Sequence, residues 1–140
     1  MNQRVRMKYK KNIINLNVYL IYTAMHNFRN LKIWQESMEL AEKIYVVTST
    51  FPETEKYGLT NQMRRCSISI PSNISEGSSR TSQKEFKHFL SISLGSAFEL
   101  FTQLELANRL GIVDKTQTTE ISELIGITER KISAFMKQLQ

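Results

Sequence analysis

The sequence predicts an all-α protein, an antiparallel up-down-up-down four-helix bundle. Three observations carry that expectation. Apolar residues recur at alternating intervals of three and four in four separate stretches between residues 28 and 140. Only five glycines and two prolines punctuate 140 residues, so elements should be long and turns few. The segments joining the stretches run to roughly three to eight residues, the usual length between antiparallel neighbours in a bundle.

The first stretch carries Leu31, Trp34, Met38, Ala41, Tyr45 and Thr48 at helical spacing, with Leu40, Ile44, Val47 and Phe51 alongside and Glu36, Glu39, Glu42 and Lys43 on the wet side. Pro52 is expected to end it and Gly58 to mark the turn. The second stretch runs from about Leu59 to Glu76, with Leu59, Met63, Cys66 and Ile70 on one line and Gly77 placed as a C′ glycine. Ser67 to Ile70 also alternates as a short strand would, but four residues do not outweigh the helical line. Pro71 inside this helix lacks an N–H and should bend it, freeing the Ser67 carbonyl for water or a side chain. Asn73 falls towards the core, where an unpaired amide costs ~1–3 kcal/mol. It should therefore find partners, with Glu76 or a serine of the facing helix able to supply them.

The third stretch opens on Ser82-Gln83-Lys84-Glu85, the pattern of a capping box, and continues from Phe86 to Leu110 before Gly111 closes it. Ser82 to Leu110 would span ~43 Å at helical rise. Its small patch, Gly95-Ser96-Ala97, should face the bend at Pro71. The fourth stretch starts after Asp114, Thr116, Thr118 or Thr119, all suitable caps, and carries Ile121, Leu124, Ile125, Ile132, Phe135, Met136 and Leu139. Gly126 weakens its middle by ~1 kcal/mol relative to alanine.

Composition adds the exclusions. With 41% apolar, 9% aromatic and 23% charged residues the chain reads as a globular protein. One cysteine, Cys66, excludes an internal disulfide and a thiolate metal cluster and suits a reducing, cytoplasmic setting. The net charge of +6 is uneven. Arg4, Arg6, Lys8, Lys10 and Lys11 precede any acid, and from Met25 onward the balance is close to neutral. Residues 1–26 therefore read as a separate basic and apolar extension, disordered or upstream of a start at Met25, and residues 27–140 as the bundle domain. A basic arm touching RNA and a targeting signal are the competing readings of the extension. Its apolar part is broken by Asn15 and Asn17 and is too short to span a bilayer.

Little in the chain resembles chemical machinery. Glu85-x-x-His88 has the spacing used by di-iron bundles, but no second pair exists and Glu85 is engaged in the cap. Cys66 sits on an apolar line and is expected as buried filler rather than a nucleophile. Asp114 is the only aspartate and no glycine-rich phosphate loop is present. No catalysis, metal, cofactor, membrane or small-molecule substrate is expected. The basic side chains Arg64, Arg65, Arg80, Lys84 and Lys87 are the candidate nucleic-acid contacts, with Lys84 and Lys87 sharing a face. The plainer alternative pairs these cations with Glu76, Glu99 and Glu105 inside the chain.

Several strings together carry a resemblance. They are Asn27-Phe28-Arg29-Asn30-Leu31-Lys32-Ile33-Trp34-Gln35, Tyr57-Gly58-Leu59-Thr60, and above all Ser69-Ile70-Pro71-Ser72-Asn73-Ile74-Ser75-Glu76-Gly77, followed by Arg80, Phe86 and Leu94-Gly95-Ser96. The chain resembles the four-helix-bundle family named for proteins encoded in intervening sequences of bacterial 23S ribosomal RNA genes, to which the accessory variability protein of diversity-generating retroelements is related. The resemblance implies a left-handed bundle without known catalysis that assembles as a homo-oligomeric ring, typically a pentamer. It also implies structured RNA or a ribonucleoprotein as a partner. Pro71, Asn73, Glu76, Gly77, Gly95 and Ser96 belong to the matching motifs. Cys66 stands where the family usually has alanine, and residues before Met25 match nothing in it. A protein-interaction scaffold with no nucleic acid is the alternative function.

Overall fold

The structure, a computed structural model, describes residues 27–139 and Leu16. The readings attached to the rest of residues 1–26 lie outside the described residues. Four helices follow one another: α1 Lys32–Thr48, α2 Leu59–Ser78, α3 Gln83–Arg109 and α4 Lys115–Gln138. Short 3₁₀ turns at Phe28–Asn30 and Glu53–Glu55 precede α1 and α2. No strand occurs among the described residues, so the Ser67–Ile70 alternation is helical.

Side-chain register makes every neighbouring pair antiparallel. Glu36 meets Lys131 while Lys43, two turns on, meets Glu120, so α1 and α4 run opposite ways. Ile70 faces Ser93 while Cys66 faces Glu99 and Gln103, which does the same for α2 and α3. Arg64 reaches back to Thr48 on α1, and the Phe86 ring meets Phe135 on α4. Each helix packs on its chain neighbours and α1 closes on α4, giving the up-down-up-down bundle the periodicity predicts. The centre is filled by Leu40, Ile44, Met63, Ile70, Ile74, Phe86, Leu90, Leu100, Leu104, Ile125 and Ile132, all buried. Each such side chain contributes ~1.5–3 kcal/mol on leaving water.

The ends of the helices have local causes. At the C-terminus of α1 the hydroxyls of Thr48, Ser49 and Thr50 donate to the carbonyls of Ile44, Val46 and Val47. They add side-chain donors to carbonyls of the last turn, and α1 stops four residues before Pro52. The start of α2 has glycine at the cap position, and the Glu55 carboxylate supplies the missing acceptor to the Leu59 N–H at 3.0 Å. Ser82 accepts from the Glu85 N–H and donates its hydroxyl to the same residue's carboxylate, so the capping pair closes on itself. At the other end of α3, Gly111 adopts φ 71° and lets Ile112 and Gly111 donate to the Ala107 and Asn108 carbonyls, a Schellman closure. Asp114 is the cap of α4, its carboxylate accepting from the Gln117 N–H at 2.8 Å.

Four sequence expectations change in the α2–α3 interface. Gly77 is not a C′ glycine: α2 continues through it to Ser78, and a Cβ there would lie 2.7 Å from both the Phe86 ring and the Phe89 Cβ. Its smallness serves close packing of α3, not a turn. Pro71 is accommodated within a continuous helix, and the nearby donors Ser93 and Asn73 go to the carbonyls of Ile70 and Ser69, not that of Ser67. Asn73 is half-buried and partnered by the carbonyl and hydroxyl of Ser69 on its own helix, not by Glu76. The facing serine enters one step removed, since Ser96 Oγ contacts Ser69 Oγ at 2.9 Å. Ser96 and Ala97 do face α2, but Gly95 points outward with nothing within 4 Å of where a Cβ would be.

Candidate functional site

The five cations singled out by the sequence do not form one patch. Arg64 and Arg65 lie near the start of α2, and Arg80 follows its end, about 22 Å away along the helix axis. Adjacent residues on a helix diverge by about 100°, and these two do. Arg64 turns towards α1, donating from Nε to Thr48 Oγ1 at 2.9 Å with its guanidinium 4.6 Å from the Tyr45 ring centre. Arg65 is exposed on the other side, near enough to Cys66 to favour its thiolate. Arg80 is held by Glu76 at 3.0 Å and stacks over Phe89 at 4.7 Å, its Nε buried without an acceptor among the described residues. Arg64 and Arg80 therefore lock helices together, which removes them from the set of free cations. Arg65 and Lys84 are exposed and Lys87 half-buried, and none of the three makes an ion pair among the described residues. Of the acids expected to neutralise the cluster, only Glu76 does so, for Arg80. Glu105 pairs with Arg109, and Glu99 accepts from the Cys66 thiol.

Cys66 is buried, as its apolar line predicts, yet it is more than filler. Its Sγ donates to Glu99 Oε2 at 3.3 Å and accepts from Gln103 Nε2 at 3.4 Å. Burial, and then the hydrogen bond to the Glu99 carboxylate, push the thiol above its ordinary range. A thiol held protonated is a poor nucleophile. Gln103 Oε1 is buried without a partner among the described residues. Glu85 is occupied by the α3 cap and His88 is exposed beside it. Among the described residues no three of His, Cys, Asp or Glu gather as metal ligands.

Sequence reasoning implies surplus apolar surface beside Leu40, Ile44 and Val47, but these are buried and other side chains are left outside. In α1 the side chains turned inward are Ile33, Ser37, Leu40, Ala41, Ile44, Val47 and Thr48. The line read as the main core stripe lies only partly inside: Leu31, Ala41 and Thr48 are buried, but Met38 is 38% and Tyr45 41% exposed, and Trp34 is only half-buried. With Phe28, Ile68 and Pro71 the last three line an open groove of about 910 Å³ between α1 and α2. On the outer face of α3, Ile92, Phe98 and Phe101 stand 39%, 55% and 43% exposed. The signal was present in the sequence as two parallel apolar lines in one helix, wider than a bundle core needs. Spacing alone could not say which members of the two face inward.

The described residues thus form a four-helix bundle with helix-locking arginines, a buried thiol and apolar side chains on its outer faces. The chain belongs to the 23S rRNA-intervening sequence protein family, whose pattern it matches over residues 29–134. Its fold is similar to the crystal structure of a protein of unknown function from the S23 ribosomal protein family of Bacteroides thetaiotaomicron. The two share 24% identity with a TM-score of 0.70, over 75% of this chain and 98% of that one. No curated protein matches the chain. No helix among the described residues is long and apolar enough to cross a membrane.

Proposed function

We propose that this protein is a non-enzymatic, cytoplasmic member of its family that assembles into a homo-oligomeric ring, a pentamer by resemblance, and binds structured RNA or a ribonucleoprotein. The observation that carries the RNA reading is that Arg65, Lys84 and Lys87 have no ion-pair partner among the described residues, while the other candidate cations are consumed in holding helices together. A ring repeats each free cation once per subunit, and each phosphate neutralised adds close to one unit to the salt slope. Among the described residues no row of exposed aromatics interleaved with cations accompanies Lys84 and Lys87, so recognition goes to backbone and shape rather than to bases. Oligomerisation is supported by large apolar side chains left in water on α1, α2 and α3.

Binding of a structured RNA, titrated with salt, tests this. Affinity should fall steeply between about 50 and 200 mM salt, and reversing Arg65, Lys84 and Lys87 to glutamate should weaken it at least tenfold. Binding weaker than ~100 μM at 50 mM salt, the weak end of non-specific association, would remove the idea. The sequestering of Arg64 and Arg80 favours a second reading, a scaffold that docks another protein only. That reading expects partner capture to survive the triple charge reversal.

A further inference from the structure

We propose that the basic run at residues 4–11 of this chain docks in the cleft between α1 and α4 of the same molecule, held by the carboxylates on the rim. Two adjoining cavities, of about 560 and 270 Å³, follow this seam from Glu36 to Thr50. Their floor is aliphatic, with Leu40 and Val47 of α1 opposite Ile121 and Leu124 of α4. The carboxylates of Glu36, Glu39, Glu42 and Glu120 stand over it, against the ammonium groups of Lys43 and Lys131 alone. Both lysines are already engaged in bridging the helices, to Glu120 and Glu36. Glu39 and Glu42 are exposed and make no ion pair among the described residues. Glu36 also keeps its Oε2 buried without a donor among them. An aliphatic floor under unpaired carboxylates suits long cationic side chains, whose stems lie along apolar surface while their heads stay at its edge.

Charge and reach single out the occupant. Arg4, Arg6, Lys8, Lys10 and Lys11 form the densest positive run in the chain, and no acid precedes Glu36 to pair with them. Phe28 packs on Trp34 at the α1–α2 side, so a chain leaving Asn27 must cross α1 to reach the cleft. Crossing one helix and running along it to Glu39 and Glu42 takes a path of at most ~30 Å. The stretch from Lys11 to Asn27 covers about 24 Å as a helix and about 50 Å extended, which brackets that path. Leu16, the one described residue of this tether, is 59% exposed, so the aliphatic stretch is not what the cleft takes up. Tied to the same molecule, the run is present at the cleft at an effective concentration on the order of millimolar. Ion pairs too weak to join separate molecules suffice at that concentration. The contact is independent of the RNA reading and stands without it.

Limited trypsin digestion of the full 140-residue chain tests this, since the enzyme cuts after each of the five cations. The comparison is with Glu39→Gln/Glu42→Gln, two exposed positions whose change leaves the fold intact, as circular dichroism checks. In about 50 mM salt, cleavage within residues 4–11 of the natural chain should be at least ~5-fold slower than in the variant. At about 1 M salt, where the screening length falls to ~3 Å, the two should be cut at the same rate. Tenfold dilution should leave the protection unchanged, because the contact lies within one molecule. Equal rates at low salt overturn the proposal. Protection that fades on dilution places the run on a second copy and overturns it too. Protection removed by Ile68→Glu, in the α1–α2 groove, but not by the glutamine pair means that the run sits in that groove instead.

Discussion

Individual residues show how one side-chain type takes opposite roles by position. Gly77 lies where a Cβ would collide with Phe86 and Phe89 at 2.7 Å, whereas at Gly126 it would meet only the mobile end of Arg130 at 3.3 Å. Gly77→Ala should therefore destabilise the fold by about 1–3 kcal/mol through overpacking. Gly126→Ala should stabilise it by up to ~1 kcal/mol through helix propensity. Urea unfolding of the two variants checks both signs. The Cys66 thiol, raised by burial and by its bond to Glu99, is held in its protonated form by the fold. Stability from a raised pKa is complete below the unfolded value and is lost as pH rises through it and the folded value. Unfolding curves should thus weaken above about pH 8.5, the ordinary range of a thiol, and Cys66→Ala should flatten that alkaline loss. The same shift predicts slow alkylation at pH 7.5, accelerating on addition of denaturant.

At the scale of elements, caps were the most legible feature and interior glycine and proline the least. Ser82 was recognisable and Asp114 was one of four candidates, because a cap needs only the local chain: a side-chain oxygen and an amide three residues on. Ser82→Ala or Asp114→Ala should each lower stability by about 1 kcal/mol, measured by thermal unfolding. The α1 stop and the α2 start were not legible in the same way. The first depends on three hydroxyls folding back on the helix, and the second on the Glu55 side chain reaching across a 3₁₀ turn. Pro71 was visible as a defect, yet the carbonyl of Ile70 beside it is met by Ser93 on α3, twenty-three residues from Ile70. That distance puts it beyond any pattern in the second stretch.

For the whole molecule, the decisive contrast is between apolar and charged surface. Burial of apolar faces strengthens or holds with salt while cation–phosphate contacts weaken. The oligomer's mass should consequently stay constant between about 50 and 200 mM salt while RNA affinity drops by orders of magnitude. Light scattering and binding measured on the same preparation check the pair of trends. A loss of mass in step with RNA affinity would mean that charge, not apolar contact, holds the subunits together.

Periodicity, caps and scarce glycine or proline were enough to determine four helices, their order and their short connections. These properties depend on neighbours along the chain. They also determined that Cys66 is buried and that Lys84 and Lys87 share a face. Tertiary structure alone decided which members of two adjacent apolar lines in α1 turn inward, because that choice depends on where α2 and α4 sit. It likewise decided that Gly77 admits a helix, that Gly95 faces open space, and that Arg64 and Arg80 are fastened to Tyr45 and Phe89. A helix carries its stripes wherever it goes, and only its neighbours settle which of them the solvent sees.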